Sequence, residues 1–283
     1  MKFRRVGERG LERAAVQGAD GVWRALPSSL GDLDGEFLSR HRLEEVRYLL
    51  ENGELREDLD GGARLGAPIA RPGKVVCVGL NYRDHAEETG SAIPSEPILF
   101  MKAANCVVGP HDDVMIPRDS KKTDWEVELG VVIGSEARYL ASPDDAPNVI
   151  AGYCLSNDVS ERAFQNERGG QWVKGKSCET FNPVGPWLVT IDEIADPQDL
   201  RLTLSVNGVT RQDGTTRDMI FGVHFLVWYV SQFMVLEPGD LINTGTPAGV
   251  SMGHDDVAFL AAGDVMELSI TGLGTQRSSL VQA

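Results

Sequence analysis

The stretch Asp124-Trp125-Glu126-Val127-Glu128-Leu129-Gly130-Val131-Val132-Ile133-Gly134 decides how the chain is read. Along a β-strand, successive side chains alternate between faces. Glu126 and Glu128 therefore share one face, and Trp125, Val127 and Leu129 take the other. An E-x-E pair on a strand is commonly a solvated face. Here the strand runs straight into Gly-Val-Val-Ile-Gly, which reads as buried on both sides. Two adjacent carboxylates entering a core repel each other and are poorly hydrated, so they require a cation or a shared proton.

Outward from this strand, the chain beyond residue 72 is mostly strands and turns. Residues 75–78, 98–101, 131–133, 153–155 and 187–190 are short apolar runs, and residues 202–206 alternate before a hairpin signal at Asn207-Gly208. Residues 240–243 and 265–270 predict further strands. One long helix is predicted over 216–236, started by Thr215, Thr216 and Asp218 and stopped by Glu237-Pro238-Gly239. Before the Gly/Pro-rich junction at 61–73, residues 14–26 read as a small hairpin around a Gly/Asp turn. Residues 41–50 carry a helical apolar stripe at 43, 46, 49 and 50. The pattern is α+β with few helices, not an alternating βαβ sheet. Residues 1–68 are expected to form a small accessory domain and residues 69–283 the catalytic one.

Composition narrows the function. With 42% hydrophobic and 24% charged residues, the 283-residue chain is that of a soluble globular protein. Its 27 Lys+Arg against 42 Asp+Glu leave a formal net charge of −15. Such a surface repels phosphate backbones and anionic headgroups, so neither nucleic acid nor a membrane is an expected partner. Cys77, Cys106, Cys154 and Cys178 form no C-x-x-C pair and read as reduced thiols of a cytoplasmic protein. Residues 219–236 lack Asp, Glu, Lys and Arg, which is near membrane-spanning length. Gly222, His224, Ser231 and Gln232 interrupt the run, so a helix buried in the core or partly at a subunit interface is the better reading. H-E-x-x-H and post-strand G-x-G-x-x-G motifs are missing.

Three further elements carry chemistry. Asp158 ends the apolar run that begins near Tyr153. Capping of a following helix by Asn157, Asp158 or Ser160 is as good a reading as metal ligation. If Asp158 joins Glu126 and Glu128, three carboxylates without nearby His or Cys specify a hard divalent ion such as Mg²⁺ or Mn²⁺. Lys176 either offsets residual negative charge beside an anionic substrate or is a surface lysine. On a helix, His85 and Glu88 stand at i and i+3. Spacing alone favours an exposed ion pair, but a carboxylate-held imidazole is also what a water-activating base needs. Residues 89–97 are loop-like and suited to a lid.

Taken together, Asn81-Tyr82 with His85, Phe100-Met101-Lys102, the Glu126/Glu128 strand, Asn157-Asp158, Gly175-Lys176-Ser177 and Gly245-Thr246-Pro247 resemble, in order, the fumarylacetoacetate hydrolase family over roughly residues 72–272. The resemblance implies a mixed β-roll or β-sandwich catalytic domain with a small N-terminal accessory domain, usually in a homodimer. It implies Mg²⁺ or Mn²⁺ held by Glu126, Glu128 and Asp158, a His85–Glu88 lid dyad, and Lys176 reaching the substrate. Arg162, Gln165 and Thr246 match substrate-contact positions. Residues 171–181 resemble a bacterial branch that includes 2,4-diketo-3-deoxy-L-rhamnonate and fuconate hydrolases. The implied activity is metal-dependent hydrolysis of a carbon–carbon bond in a 2,4-diketo acid, an acylpyruvate or diketo-deoxy sugar acid, releasing pyruvate. Oxaloacetate decarboxylation and dienoate isomerisation on the same site are alternatives within the family. A non-catalytic keto-acid- or metal-binding protein is the alternative of another class.

Overall fold

The computed structural model describes residues 1–38, 40–57, 62–254 and 256–283. It is a mixed α/β structure with few helices and several sheets. The decisive stretch becomes the fully buried strand Val127–Ile133, near the middle of a ten-stranded sheet. On one side it pairs antiparallel with Ile150–Asn157, and on the other with Leu241–Asn243. The sheet continues past Leu241–Asn243 through Val75–Gly79 to Ile98–Lys102. Past Ile150–Asn157 it continues through Leu188–Thr190 to Lys2–Val6, Arg13–Gln17 and Trp23–Ala25. The first strands of the chain thus extend the sheet that also carries the acidic strand.

A second sheet of five strands runs in the order Val209–Thr215, Arg201–Val206, Val265–Ile270, Gly274–Gln282 and Val114–Ile116. The predicted hairpin at Asn207-Gly208 joins its first two strands, with Asn207 in the left-handed region at φ 53°. The two sheets pack through Val127, Leu129 and Val131 of the first and Leu202, Leu204, Met266 and Leu268 of the second. All of these residues are buried.

The other face of the central strand changes character along its length. Val132 packs with Cys154, Leu241 and a second core that includes Phe3, Leu33, Phe37 and Leu38. Toward the strand's beginning the same face carries Glu128, with Glu126 just ahead of it. Apolar cover from the N-terminal region ends where the acids begin, and that transition positions the site.

The N-terminal hairpin forms as predicted, with Ala15 opposite Ala25, and the helix Arg40–Glu51 contains the predicted stripe. The long helix does not. In place of a helix over 216–236 there is a 3₁₀ turn, Thr216–Asp218, and a shorter helix, Val223–Ser231. Thr215 caps the 3₁₀ turn, so the start signal serves a different element. Between the two, Ile220 N–H donates to Asn81 O at 2.7 Å and Phe221 N–H to Asn81 Oδ1 at 2.9 Å. At the far end Leu236 and Ala137 exchange both backbone hydrogen bonds. Tertiary pairing at both ends takes backbone groups that a continuous helix would have used itself. Among the described residues no helix is long and apolar enough to cross a membrane.

Because Leu129 joins the acidic strand to the second sheet, its truncation should be costly. We expect Leu129→Ala to lower unfolding free energy by about 2–5 kcal/mol, read from the urea midpoint at unchanged slope.

Candidate active site

The end of the central strand gathers three carboxylates. Glu128 sits within the ladder opposite Ser156. One turn of irregular backbone follows, in which Glu126 N–H donates to Asn157 Oδ1 at 3.2 Å and Asp158 N–H donates to Glu126 O at 2.9 Å. These bonds carry the pairing beyond the regular strands and bring Asp158 beside the two glutamates. Ligand atoms of Glu126, Glu128 and Asp158 lie within 4.8 Å of one another, and all three residues are buried. Asp158 does not cap the following helix. Glu161 does, its side chain accepting from Ala163 N–H at 3.0 Å. The ligation reading of Asp158 therefore keeps its geometric support.

Three buried cations answer these acids. Lys176 Nζ bridges Glu126 Oε2 at 2.6 Å and Asp158 Oδ2 at 2.9 Å. It is 2% exposed, not a surface lysine. Lys102 Nζ donates to the other oxygen of Asp158 and to Val159 O. Arg162 pairs with Glu126 Oε1 at 2.7 Å and with Asp124 Oδ2 at 2.9 Å. Burial pushes the Glu126 carboxyl up, but Lys176 and Arg162 outweigh it and hold Glu126 near 2. Glu128 goes the other way. Burial, followed by the charges of Asp158 and Glu126, raises it well above the carboxylate range. Its side chain accepts from Gly245 N–H at 2.8 Å and makes no ion pair among the described residues. Gly245 has φ +98°, and a Cβ there would meet Asn81 Cβ at 2.8 Å, so only glycine presents this N–H.

The donor set fits a hard divalent ion. Oxygen ligands at roughly 2.0–2.1 Å from Mg²⁺ lie within about 4.2 Å of one another, compatible with the observed cluster. An uncompensated carboxylate, Glu128, stands beside two others, which is the electrostatic deficit such an ion would fill.

His85 and Glu88 lie on the short helix Arg83–Glu88, His85 Nδ1 being 3.2 Å from Glu88 Oε2. Both side chains are less than a tenth exposed, so the solvated ion pair that spacing favoured is not what forms. Burial raises the Glu88 carboxyl, but its bonds to His85 and to Gly249 N–H bring it below the usual range. His85, Glu126, Glu128, Arg162, Lys176 and Thr246 line one cavity of about 140 Å³. Asp158 stands behind it, closed off by the two lysines. Gln165 also faces the cavity and accepts from Arg162 Nη1 at 3.2 Å. Arg162 Nη2 is buried with no hydrogen-bond partner among the described residues, beside the cavity. The Thr246 hydroxyl is already committed, donating to Val127 O and accepting from Gln212.

The matches to known proteins show the family. The fumarylacetoacetate (FAA) hydrolase C-terminal domain matches residues 74–281. The chain belongs to the fumarylacetoacetate hydrolase family. A 2,4-didehydro-3-deoxy-L-rhamnonate hydrolase from Sphingomonas sp. (strain SKA58) is 50% identical over 281 residues, covering 99% of this chain and 96% of that protein. A solved fumarylacetoacetate hydrolase from psychrophilic Exiguobacterium antarcticum is 35% identical with a TM-score of 0.81, both chains being covered in full. A 5-carboxymethyl-2-hydroxymuconate delta-isomerase from Mycobacterium smegmatis is 31% identical with a TM-score of 0.79, covering 100% of this chain and 99% of its own. The protein is accordingly an enzyme of a hydrolase family whose fold also carries isomerases.

Sequence reasoning assigned no site role to three residues that contact the candidate site. Asp124 continues the every-second-residue pattern of Glu126 and Glu128, and that signal would have found it. Lys102 ends an apolar strand, where a lone lysine marks an inward-facing charge. His254 pairs with Glu88, Nε2 to Oε1 at 2.6 Å, from far along the chain. No local pattern announces it.

The raised Glu128 carboxyl gives a signed prediction. The folded, metal-free protein binds a proton here that the unfolded chain releases near pH 4.5, so this group's contribution to stability falls as pH rises above that value. Glu128→Gln should make the metal-free protein more stable than the parent at neutral pH. The same variant should lose the rise in melting temperature that Mg²⁺ or Mn²⁺ gives the parent, as calorimetry with and without chelator will show.

Proposed function

We propose that the protein is a metal-dependent hydrolase that cleaves a carbon–carbon bond of a 2,4-diketo acid and releases pyruvate. The observation that carries this reading is the single cavity shared by the carboxylate-held imidazole of His85 and the acidic cluster. When bound through Glu126, Glu128 and Asp158, Mg²⁺ or Mn²⁺ supplies Lewis acidity toward a keto-carboxylate group. Four acids, Asp124, Glu126, Glu128 and Asp158, face three cations, Lys102, Lys176 and Arg162. A divalent ion would turn the residual negative charge into a positive one, matching a substrate carboxylate.

The chain's own groups do the rest. His85 takes a proton from water, while Glu88 holds the other ring nitrogen and stabilises the imidazolium. The water attacks the C4 carbonyl. Lys176 faces the negative charge that develops as the C3–C4 bond breaks and the pyruvate enolate departs. The proton held by His85 passes to the enolate carbon to give pyruvate, while the new carboxylic acid loses its own to water. Arg162 Nη2 and Gln165 offer hydrogen bonds to substrate oxygens, and Thr246 shapes the wall. Thr89, Ser91 and Asn166 add hydroxyl and amide groups to the same cavity. Together with the near full-length relative that acts on a deoxy-rhamnonate, they favour a hydroxylated, sugar-acid tail over a plain acylpyruvate. In this reading residues 69–283 form a β-roll or sandwich catalytic domain, residues 1–68 are accessory, and the enzyme works in the cytoplasm.

Proton accounting separates the family's reactions. Hydrolysis of a diketo acid creates a second carboxylate and releases a proton. Decarboxylation of oxaloacetate takes one up as CO₂ leaves, and isomerisation is proton-neutral. In weak buffer with a pH indicator, we expect acidification with a 2,4-diketo acid that matches pyruvate formed. Turnover of oxaloacetate alone would remove the hydrolase reading. His85→Ala should lower diketo-acid cleavage by about 10²–10⁴-fold and leave Mn²⁺ affinity nearly unchanged.

We also propose that the enzyme is a homodimer. Phe221, Phe225, Tyr229 and Phe233, four residues apart, form a row of ring contacts along and just beyond the Val223–Ser231 helix, the first two pairs stacked and the last tilted, and Phe233 is 64% exposed. A second copy is the occupant that would cover this ridge. Sedimentation velocity should give a dimer that Phe233→Glu shifts toward monomer. A monomeric parent would remove the proposal.

A further inference from the structure

We infer that His254 is a positioning residue for the His85–Glu88 pair, holding Glu88 from the solvent side. The inference rests on the reading of His85 as the group that activates water. Glu88 has two carboxylate oxygens with separate duties. Oε2 faces His85 Nδ1 at 3.2 Å. Oε1 accepts from Gly249 N–H at 2.7 Å and pairs with His254 Nε2 at 2.6 Å. With Oε1 fixed twice, the carboxylate cannot turn about its own axis, and Oε2 stays on His85. That in turn favours the His85 tautomer with Nδ1 protonated, leaving Nε2 free to take a proton.

The chain leaves room for this contact on purpose. Gly253, next to His254, lies so close to Glu88 that a Cβ would fall 2.5 Å from Glu88 Cγ. Any side chain at 253 would push Glu88 off its partners. The segment before it is tied down as well. Asp84 Oδ2 accepts from Ala248 N–H at 3.3 Å, and Asp124 accepts from Ser251 N–H at 2.8 Å and Met252 N–H at 3.0 Å. Since Asp124 also grips Arg162, which grips Glu126, one short segment is bonded both to the helix bearing the dyad and to the acidic cluster.

A second cavity shows which side His254 serves. His254 lines a space of about 410 Å³ together with Lys122, Glu167, Ser251 and Phe259. Arg162, Asn166 and Met252 line both this space and the substrate cavity, and so form the partition between them. The imidazole is 43% exposed, whereas Glu88 is 8% exposed. His254 therefore reaches Glu88 from outside the partition, where it can orient the pair without occupying substrate space.

The test uses His254→Ala and His254→Gln in the full-length protein, the Gln amide nitrogen standing where Nε2 stands. In metal-free protein, ¹⁵N resonances of the His85 ring should report a protonated Nδ1 in the parent, a mixture of tautomers in the Ala variant and a return toward the parent in the Gln variant. With Mn²⁺ and a 2,4-diketo acid, His254→Ala should lower kcat by about 10–100-fold at nearly constant KM and Mn²⁺ affinity, and His254→Gln should recover most of the loss. His85 signals that are the same in His254→Ala as in the parent overturn the assignment, as does a Gln variant no better than the Ala variant. If the parent cleaves no diketo acid, the hydrolase reading fails while the ¹⁵N spectra still decide the role of His254.

Discussion

The structure is organised around the repulsion among carboxylates buried at the end of one strand. Glu126, Glu128 and Asp158 sit where water cannot screen them, and such groups are tolerated only when charge or protons compensate. Lys102, Lys176 and Arg162 come from three different parts of the chain to supply that compensation. They stop short of full neutrality, and Glu128 is the group left over. That leftover carboxyl distinguishes the cluster, which could hold a divalent ion, from a closed salt-bridge network.

The same constraint explains why the neighbouring segments are fixed. Asn81 bonds both to Thr244 O and to the 220–221 backbone, which breaks the expected long helix and anchors the start of the dyad helix. Asp124 links Arg162 to the 251–252 backbone. Glu88 ties that segment to His85. The His85–Glu88 pair and the acidic cluster are thus joined through hydrogen bonds between elements far apart in sequence. A substitution in any link should be felt at both, because rigid packed elements transmit displacement.

Much of the fold could be read directly. The segments at 75–78, 98–101 and 265–270 all became strands, the first as an apolar run buried on both faces and the last with alternate residues buried. The 216–236 run misled for a physical reason. Its apolar character was read as helical continuity, whereas Asn81 and Ala137 claimed its backbone at both ends. Local pattern reports burial, and it cannot report which distant partner will take a hydrogen bond.

The site divides along the same line. By itself the sequence determined that two glutamates share a face on a strand entering the core, that His85 and Glu88 share a helical face, and that a divalent-metal chemistry of a known family was in view. The first two follow from the strand period of two and the helix period of 3.6, which are local properties, and the third from the resemblance of the ordered motifs to that family. Only the tertiary structure decided that Asp158 leaves helix capping to Glu161, that Lys176 and the dyad are buried, and that Lys102 and His254 reach the candidate site. Several of those outcomes depend on side chains far apart in sequence meeting in space, Lys176 with Glu126, Lys102 with Asp158 and His254 with Glu88. Electrostatic compensation acts over a few ångströms of space, and sequence distance carries no record of it.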